Sequence, residues 1–313
     1  MANLKIGALI VTYNPEISKL FSNINAISQQ VDRVVVVDNG SINYKNIIEV
    51  TNSFNIKMIN LGKNLGVAAA QNIGMSFFFD RGFDWVMTLD QDSIVPLNTI
   101  NEMEKSPKFQ DPSTGMLTMQ YSDPNWTEHQ RRQELKPTNA PDDLRLRVIS
   151  SGNLIRTKVW NLVGGFDEWM FIDQVDFDFD AKMTILGYKI WKLNKLVMQH
   201  EVGRVISNKL FLTKLLRLSP EELLFNHSPI REYYINRNLI VYSKRYQYYP
   251  KFERFKLNIY DNVLLTRKVL VYEKPRLKKF WFALKGIMAG IKYNPDKDES
   301  FLRFKDRIAK NDN

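Results

Sequence analysis

The sequence predicts an α/β fold: a mostly parallel central sheet with flanking helices, followed by a helical, basic C-terminal region. Three observations carry that expectation: apolar runs too continuous for a half-exposed sheet, helical spacing between those runs, and a late swing in charge. Residues 6–14 (IGALIVTYN) form an apolar run ending in a polar turn, residues 16–30 have helical spacing, and residues 31–41 (VDRVVVVDNGS) form a Val-rich strand closing on Asn-Gly. Strand, helix and strand in so short a span make a βαβ unit, and near-continuous apolar strands belong in parallel sheets covered on both faces. Residues 55–61 predict a short strand, 66–79 a helix and 84–93 (DWVMTLDQDS) another strand. Five prolines between 105 and 146 predict a long loop over the site. Residues 148–168 return to strand, short helix and a Gly-Gly turn, and residues 171–193 place an acidic cluster ahead of a helix that stops at Gly187. From 204 onward the pattern is helical, with an aromatic-rich segment at 231–250 and an amphipathic one at 274–292.

Composition removes several function classes. The 313 residues are 44% apolar and 25% charged, ordinary for a globular protein, and include no cysteine. Disulfides, thiolate zinc sites and cysteine nucleophiles are thereby excluded. The apolar stretches are interrupted before the roughly 18 residues of a spanning helix, and no signal-peptide pattern opens the chain. A cytoplasmic location is expected. Residues 1–203 hold 20 basic against 23 acidic side chains, whereas residues 204–313 hold 24 against 11. A solvated face explains part of that excess; an anionic membrane surface fits it better than nucleic acid, for which no helix-turn-helix, finger or RNP-type signature is present. Two domains are expected, at 1–205 and 206–313.

In open parallel sheets ligands bind beyond the carboxyl ends of the strands. Tyr13-Asn14, Asp38-Asn39 and Asp90-Gln91-Asp92 all fall there. Two carboxylates two residues apart raise one another's pKa unless a cation or polar partners hold them, so Asp90 and Asp92 suggest a divalent cation, Mg²⁺ or Mn²⁺, bridging to a diphosphate. A strand-to-loop turn explains the same residues about as well when they are taken alone. Asp38 at the tip of the second strand suits a ribose or base, or simply an Asp-Asn-Gly turn. Asp173, Asp176, Asp178 and Asp180 exceed what N-capping of one helix requires. Neither a P-loop nor a Gly-x-Ser-x-Gly elbow occurs, and the three histidines, His129, His200 and His227, show no zinc-hydrolase spacing.

Taken in order, VTYNP (11–15), VDNGS (37–41), NLGVAAAQNIG (64–74), LDQDS (89–93), SSGNLI (150–155), GGFDEWMFIDQVDFDF (164–179) and HEVG (200–203) resemble the family 2 glycosyltransferases of GT-A fold. The match covers roughly the first 205 residues. Asp-Gln-Asp-Ser, Ala-Gln-Asn, FIDQVD and the later REYYINRN look most like the bacterial rhamnosyltransferases of that family. The resemblance implies an inverting, metal-dependent transfer of L-rhamnose from dTDP-β-L-rhamnose to a saccharide or lipid-linked acceptor in cell-surface polysaccharide synthesis. A UDP-sugar transferase (galactofuranose, glucose or N-acetylglucosamine) and a non-catalytic nucleotide-sugar binding protein are the alternatives.

By the same resemblance Val11 and Tyr13 line the base, Asp38 binds base or ribose, Asn64 and Gly66 line the nucleotide wall, and Asp90 faces the ribose. Asp92 holds the metal, and His200 stands where the metal site is often completed. Asp176 falls on the catalytic carboxylate; Val175-Asp176 replaces the usual Glu-Asp pair, which leaves Asp178 as the other candidate base. A lipid-linked acceptor would bring the protein to the inner face of the membrane. For that contact the expected surface is the helix at 274–292, with Lys274, Arg276, Lys278 and Lys279 beside Phe280, Trp281, Phe282, Leu284 and Ile287. Packing on the catalytic domain or a homodimer interface is the alternative use of that helix.

Overall fold

A computed structural model describes residues 4–201, 227–255 and 274–311. The expected domain boundary at 205–206, and Val202 and Gly203 of the HEVG motif, lie outside the described residues. One eight-stranded sheet runs β3-β2-β1-β4-β7-β5-β8-β6. Its strands are β1 (Ile6–Thr12), β2 (Arg33–Asp38), β3 (Lys57–Asn60), β4 (Trp85–Asp90), β5 (Thr114–Ser122), β6 (Asp143–Arg145), β7 (Asn153–Arg156) and β8 (Lys189–Gln199). β1, β2, β3 and β4 pair in parallel, as do β5 and β8, while β7 runs against both β4 and β5, and β6 against β8.

The apolar runs become strands buried on both faces because helices cover them. α1 (Ile17–Ser28) buries Leu20, Asn23, Ile24 and Ile27, one stripe at helical spacing. α2 (Tyr44–Ser53) buries Ile47 and Val50. α3 (Val67–Phe79) comes close to the sheet through Ala68, Ala69, Ala70 and Gly74, all small. A methyl group on Gly74 would stand 2.2 Å from the Leu9 side chain.

The long loop expected at 105–146 is corrected. α4 (Thr99–Glu104) and α5 (Pro107–Gln110) lead into β5, whose first seven residues are buried, and α6 (Glu128–Glu134) and β6 follow. The prolines bound elements rather than fill a loop: Pro107 opens α5, Pro112 and Pro124 flank β5, and Thr127 caps α6 reciprocally with Gln130. α7 (Thr157–Val163) and α8 (Val175–Ile185) complete the sheet's cover.

The described residues divide into two compact units, the second comprising Ile172–Gln174 with residues 227–255 and 274–305. Within the second unit, α9 (Pro229–Tyr246) packs on α10 (Arg276–Lys292). Gly286 and Gly290, one turn apart, allow this: a Cβ on Gly286 would meet the Tyr233 carbonyl at 2.3 Å, and one on Gly290 the Ile240 side chain at 2.8 Å. Lys244 donates to the carbonyls of Ile291 and Tyr293 at the end of α10, and Arg245 binds Asp298 and the Tyr293 hydroxyl. α11 (Glu299–Asn311) follows.

The face expected of residues 274–292 changes accordingly. Ile287 and Lys279 are buried and Phe280 and Phe282 half-buried, whereas Leu277, Trp281, Met288 and Ile291 are exposed. No helix among the described residues is long and apolar enough to cross a membrane.

Candidate active site

Parallel register collects the site residues. Val11 pairs with Asp90 and Thr12 with Asp38, so β1, β2 and β4 end at one edge with Tyr13, Asp38 and Asp90 together there. β8 runs parallel to β5 and brings His200 to the same edge. A bridge between Ile94 and Gln199, with backbone hydrogen bonds of 2.8 and 2.9 Å, then sets Asp92-Ser93 beside His200.

On the expected nucleoside side, Val11 is half-buried and Tyr13 is 47% exposed, its backbone N–H donating to Gln91 Oε1 at 2.8 Å. Asp38 is fully buried. Its carboxylate accepts from Thr12 Oγ1, Ser41 Oγ and the N–H groups of Gly40 and Ser41. A carboxylate offers about four lone-pair sites, so this turn already occupies them. The groups beside it are arranged differently: Asn39 Nδ2 donates to Asn64 Oδ1 at 3.1 Å, Leu65 N–H returns to Asn39 Oδ1 at 2.8 Å, and Asn64 Oδ1 also accepts from Gly66 N–H. Asn39 and Asn64 thus lock two strand ends into one wall. Gly66 has φ +90°, and a Cβ there would stand 2.6 Å from the Phe171 carbonyl, so only glycine fits.

On the expected metal side, Asp92 Oδ1 lies 3.6 Å from His200 Nδ1, and both side chains are largely buried. Burial pushes the Asp92 carboxyl above its usual range, the His200 ring opposes that, and the Asp90 charge adds to it. The pair would hold a divalent cation at the sheet edge, Asp92 offering a carboxylate oxygen and His200 a ring nitrogen. No group of three His, Cys, Asp or Glu converges among the described residues.

Sequence reasoning assigned no role to the side chains that orient this pair. Ser93 Oγ lies 2.8 Å from His200 Nδ1 and 2.7 Å from Ser151 Oγ, which also accepts from the Asp90 N–H. Tyr121 meets the imidazole edge to face. Ser93 and Ser151 stand inside motifs already singled out, LDQDS and SSGNLI, whereas Tyr121 carries no local signal.

The acidic cluster separates by environment. Asp178 is buried and ion-paired with buried Lys182 at 2.7 Å. Asp180 is fully buried, accepts from the Val148 N–H at 2.7 Å, and is pushed well above the carboxylate range by burial. Asp176 is half-buried on the first turn of α8, its Oδ1 accepting from the Phe177 N–H. Ahead of it, Phe171, Asp173 and Gln174 adopt φ of 67°, 61° and 64°. Non-glycine residues there cost on the order of 1–3 kcal/mol each and persist where surroundings over-determine them. On the near side Val67 N–H donates to the Phe171 carbonyl at 2.8 Å. Asn72 binds the Phe166 backbone, Glu168 and Trp160, holding the Gly-Gly turn in place.

Comparisons with known proteins identify the family and the fold. The model of the family described as "Glycosyl transferase family 2" matches residues 8–169. A curated relative, the dTDP-rhamnosyl transferase RfbF of Shigella flexneri, is 27% identical, over 93% of this chain and 99% of its own. Among solved structures, S. aureus TarS 1-349 in complex with UDP-GlcNAc superposes with a TM-score of 0.53 at 14% identity, over 98% of this chain and 89% of that one. GalNAc-T7 with UDP, GalNAc and Mn²⁺ gives a TM-score of 0.53 at 14% identity, over 79% of this chain, which spans 50% of that protein's chain. At such identities the two structures show likeness of fold alone.

Proposed function

From the premise that the chain belongs to glycosyl transferase family 2, and is a glycosyltransferase of GT-A fold, we propose that it transfers L-rhamnose from dTDP-β-L-rhamnose to a saccharide or lipid-linked saccharide, with inversion. The observation that carries the chemistry is the half-buried Asp92–His200 pair at the carboxyl edge of the sheet. The rhamnosyl donor is supported by the relative of matching length whose name specifies it.

Asp92 and His200 hold a divalent cation, Mn²⁺ or Mg²⁺. When bound, it supplies Lewis-acid stabilisation of the departing diphosphate. Asp90 faces the ribose, and Val11, Tyr13, Asn64 and Gly66 border the nucleoside. The expected direct contact from Asp38 is revised: with its carboxylate engaged by the turn, Asp38 acts by fixing Gly40 and Ser41. Asp176 takes the proton of the acceptor hydroxyl as that oxygen bonds to the anomeric carbon and the bond to the diphosphate breaks. Asp178 is set aside as base because its ion pair with Lys182 is fully buried.

Calorimetry with dTDP-β-L-rhamnose and a panel of UDP-sugars tests the donor. The rhamnose donor is expected to bind at least tenfold more tightly; preference for any UDP-sugar overturns it.

The exposed apolar stripe of α10, flanked by exposed Lys274, Arg276, Lys278, Lys285 and Lys292, supports reversible docking on an anionic membrane where lipid-linked acceptors reside. Each such charge contributes about 1 kcal/mol near the surface. Co-sedimentation is expected with phosphatidylglycerol vesicles, lost at high salt and absent with neutral vesicles; equal recovery on both kinds removes this assignment.

A further inference from the structure

We infer that Arg231 and Asn238 of α9 are positioning residues for the transfer reaction, acting on the segment that delivers Asp176. The second compact unit includes Ile172–Gln174, and the contacts within it are specific. Buried Asn238 donates its side-chain amide to the carbonyls of Ile172 at 2.7 Å and Asp173 at 2.9 Å, while its own Oδ1 accepts from Arg237 Nε at 2.8 Å. Arg231 binds the Asp173 carboxylate through Nη2 at 3.0 Å and Nε at 3.2 Å. Of the two residues so gripped, Asp173 has positive φ without being glycine, and so does Gln174, which follows it.

A backbone of that shape relaxes unless something holds it. Here the holding groups are a charge-assisted, two-pronged ion pair and a pair of carbonyl contacts, both directional. The held segment continues without a break into Val175 and Asp176 at the start of α8. Releasing it changes where the Asp176 carboxylate stands, and a small misplacement of a reacting group is costly in rate. Arg231 and Asn238 do not themselves touch the reacting atoms. Their motif, REYYINRN, lies far from the other matched motifs in sequence, and this contact gives it a use.

The inference rests on Asp176 being the base, so the experiment separates the two claims. Arg231 is 43% exposed, and Arg231→Met leaves the fold intact. Asn238→Asp keeps shape and the oxygen that Arg237 binds but removes both donors. Turnover is measured as dTDP release from dTDP-β-L-rhamnose with water as acceptor, affinity by calorimetry with dTDP alone, and backbone mobility by amide hydrogen exchange across residues 171–177. Each variant is expected to lower kcat by about 10- to 100-fold, a size set by the sensitivity of rate to small displacements, with dTDP affinity within about twofold of the parent and faster exchange at 172–176. Arg231→Lys recovers part of the rate. On an Asp176→Asn background neither change reduces turnover further, because both act through that carboxylate. Parent-like kcat, a parallel loss of dTDP affinity, or additive losses on the Asp176→Asn background overturn the positioning role. If Asp176→Asn retains parent turnover, the base assignment fails instead, and the exchange measurement still decides the clamp: unchanged exchange at 172–176 in Arg231→Met means that α9 does not hold the segment.

Discussion

Asp92→Asn is expected to lower divalent-cation-dependent transfer by at least about 10³-fold while the protein stays folded. The magnitude follows from the several kcal/mol that a metal contributes to a developing diphosphate charge, at about 1.4 kcal/mol for each tenfold change in rate. Folding survives because the Asp92 carboxyl is already pushed up by burial and by the neighbouring Asp90 charge, so a neutral amide in its place removes an unfavourable charge. Release of dTDP from dTDP-β-L-rhamnose, measured with Mn²⁺, with Mg²⁺ and with EDTA, checks it. Full parental activity in EDTA would sink the metal assignment, and an active Asp92→Asn would move the ion elsewhere.

Asp176→Asn is expected to lower kcat by about 10²-fold or more, the usual size of a general-base contribution, with dTDP binding unchanged and thermal stability near that of the parent. Asp178→Asn should behave differently. Its partner Lys182 is only 3% exposed, and breaking one side of a buried pair costs about 3–5 kcal/mol. That variant should therefore lose melting temperature first and activity as a consequence. A thermally normal but inactive Asp178→Asn, beside an active Asp176→Asn, would shift the base by two residues along α8.

Much of this organisation was legible in the chain itself. Val-rich runs buried on both faces read directly as parallel strands, and the polar residues closing β1, β2 and β4 marked the ligand edge, since period and strand polarity are local properties. β5 was not legible. Its sequence, TGMLTMQYS, has few β-branched residues, and the prolines around it suggested a loop; its place between β7 and β8 comes from partners distant in sequence. The acidic cluster shows the same limit at the site. Four Asp residues within eight positions look alike in sequence, and only Lys182, Val148 and Arg231, each brought there by folding, tell them apart. Asp38 illustrates the converse: the turn chemistry visible in Asp-Asn-Gly-Ser was the better guide to what its carboxylate binds.

The reversed direction of β7 has a consequence for how such a protein can change length. Arg156 stands opposite Trp85 at the start of β4, and Asn153 opposite Thr88 near its end. Every parallel strand hands its last residues to the ligand edge, but β7 hands over its first, which is how Ser151 reaches Ser93 and the Asp90 amide. Residues inserted just before β7 would push Ser151 off its partners, whereas residues added after Arg156 would emerge at the opposite rim of the sheet, away from the ligand. Tolerance to insertion is thus inverted along this strand relative to its neighbours, and a scan of single-residue insertions from 150 to 158 would trace the reversal as a step in activity.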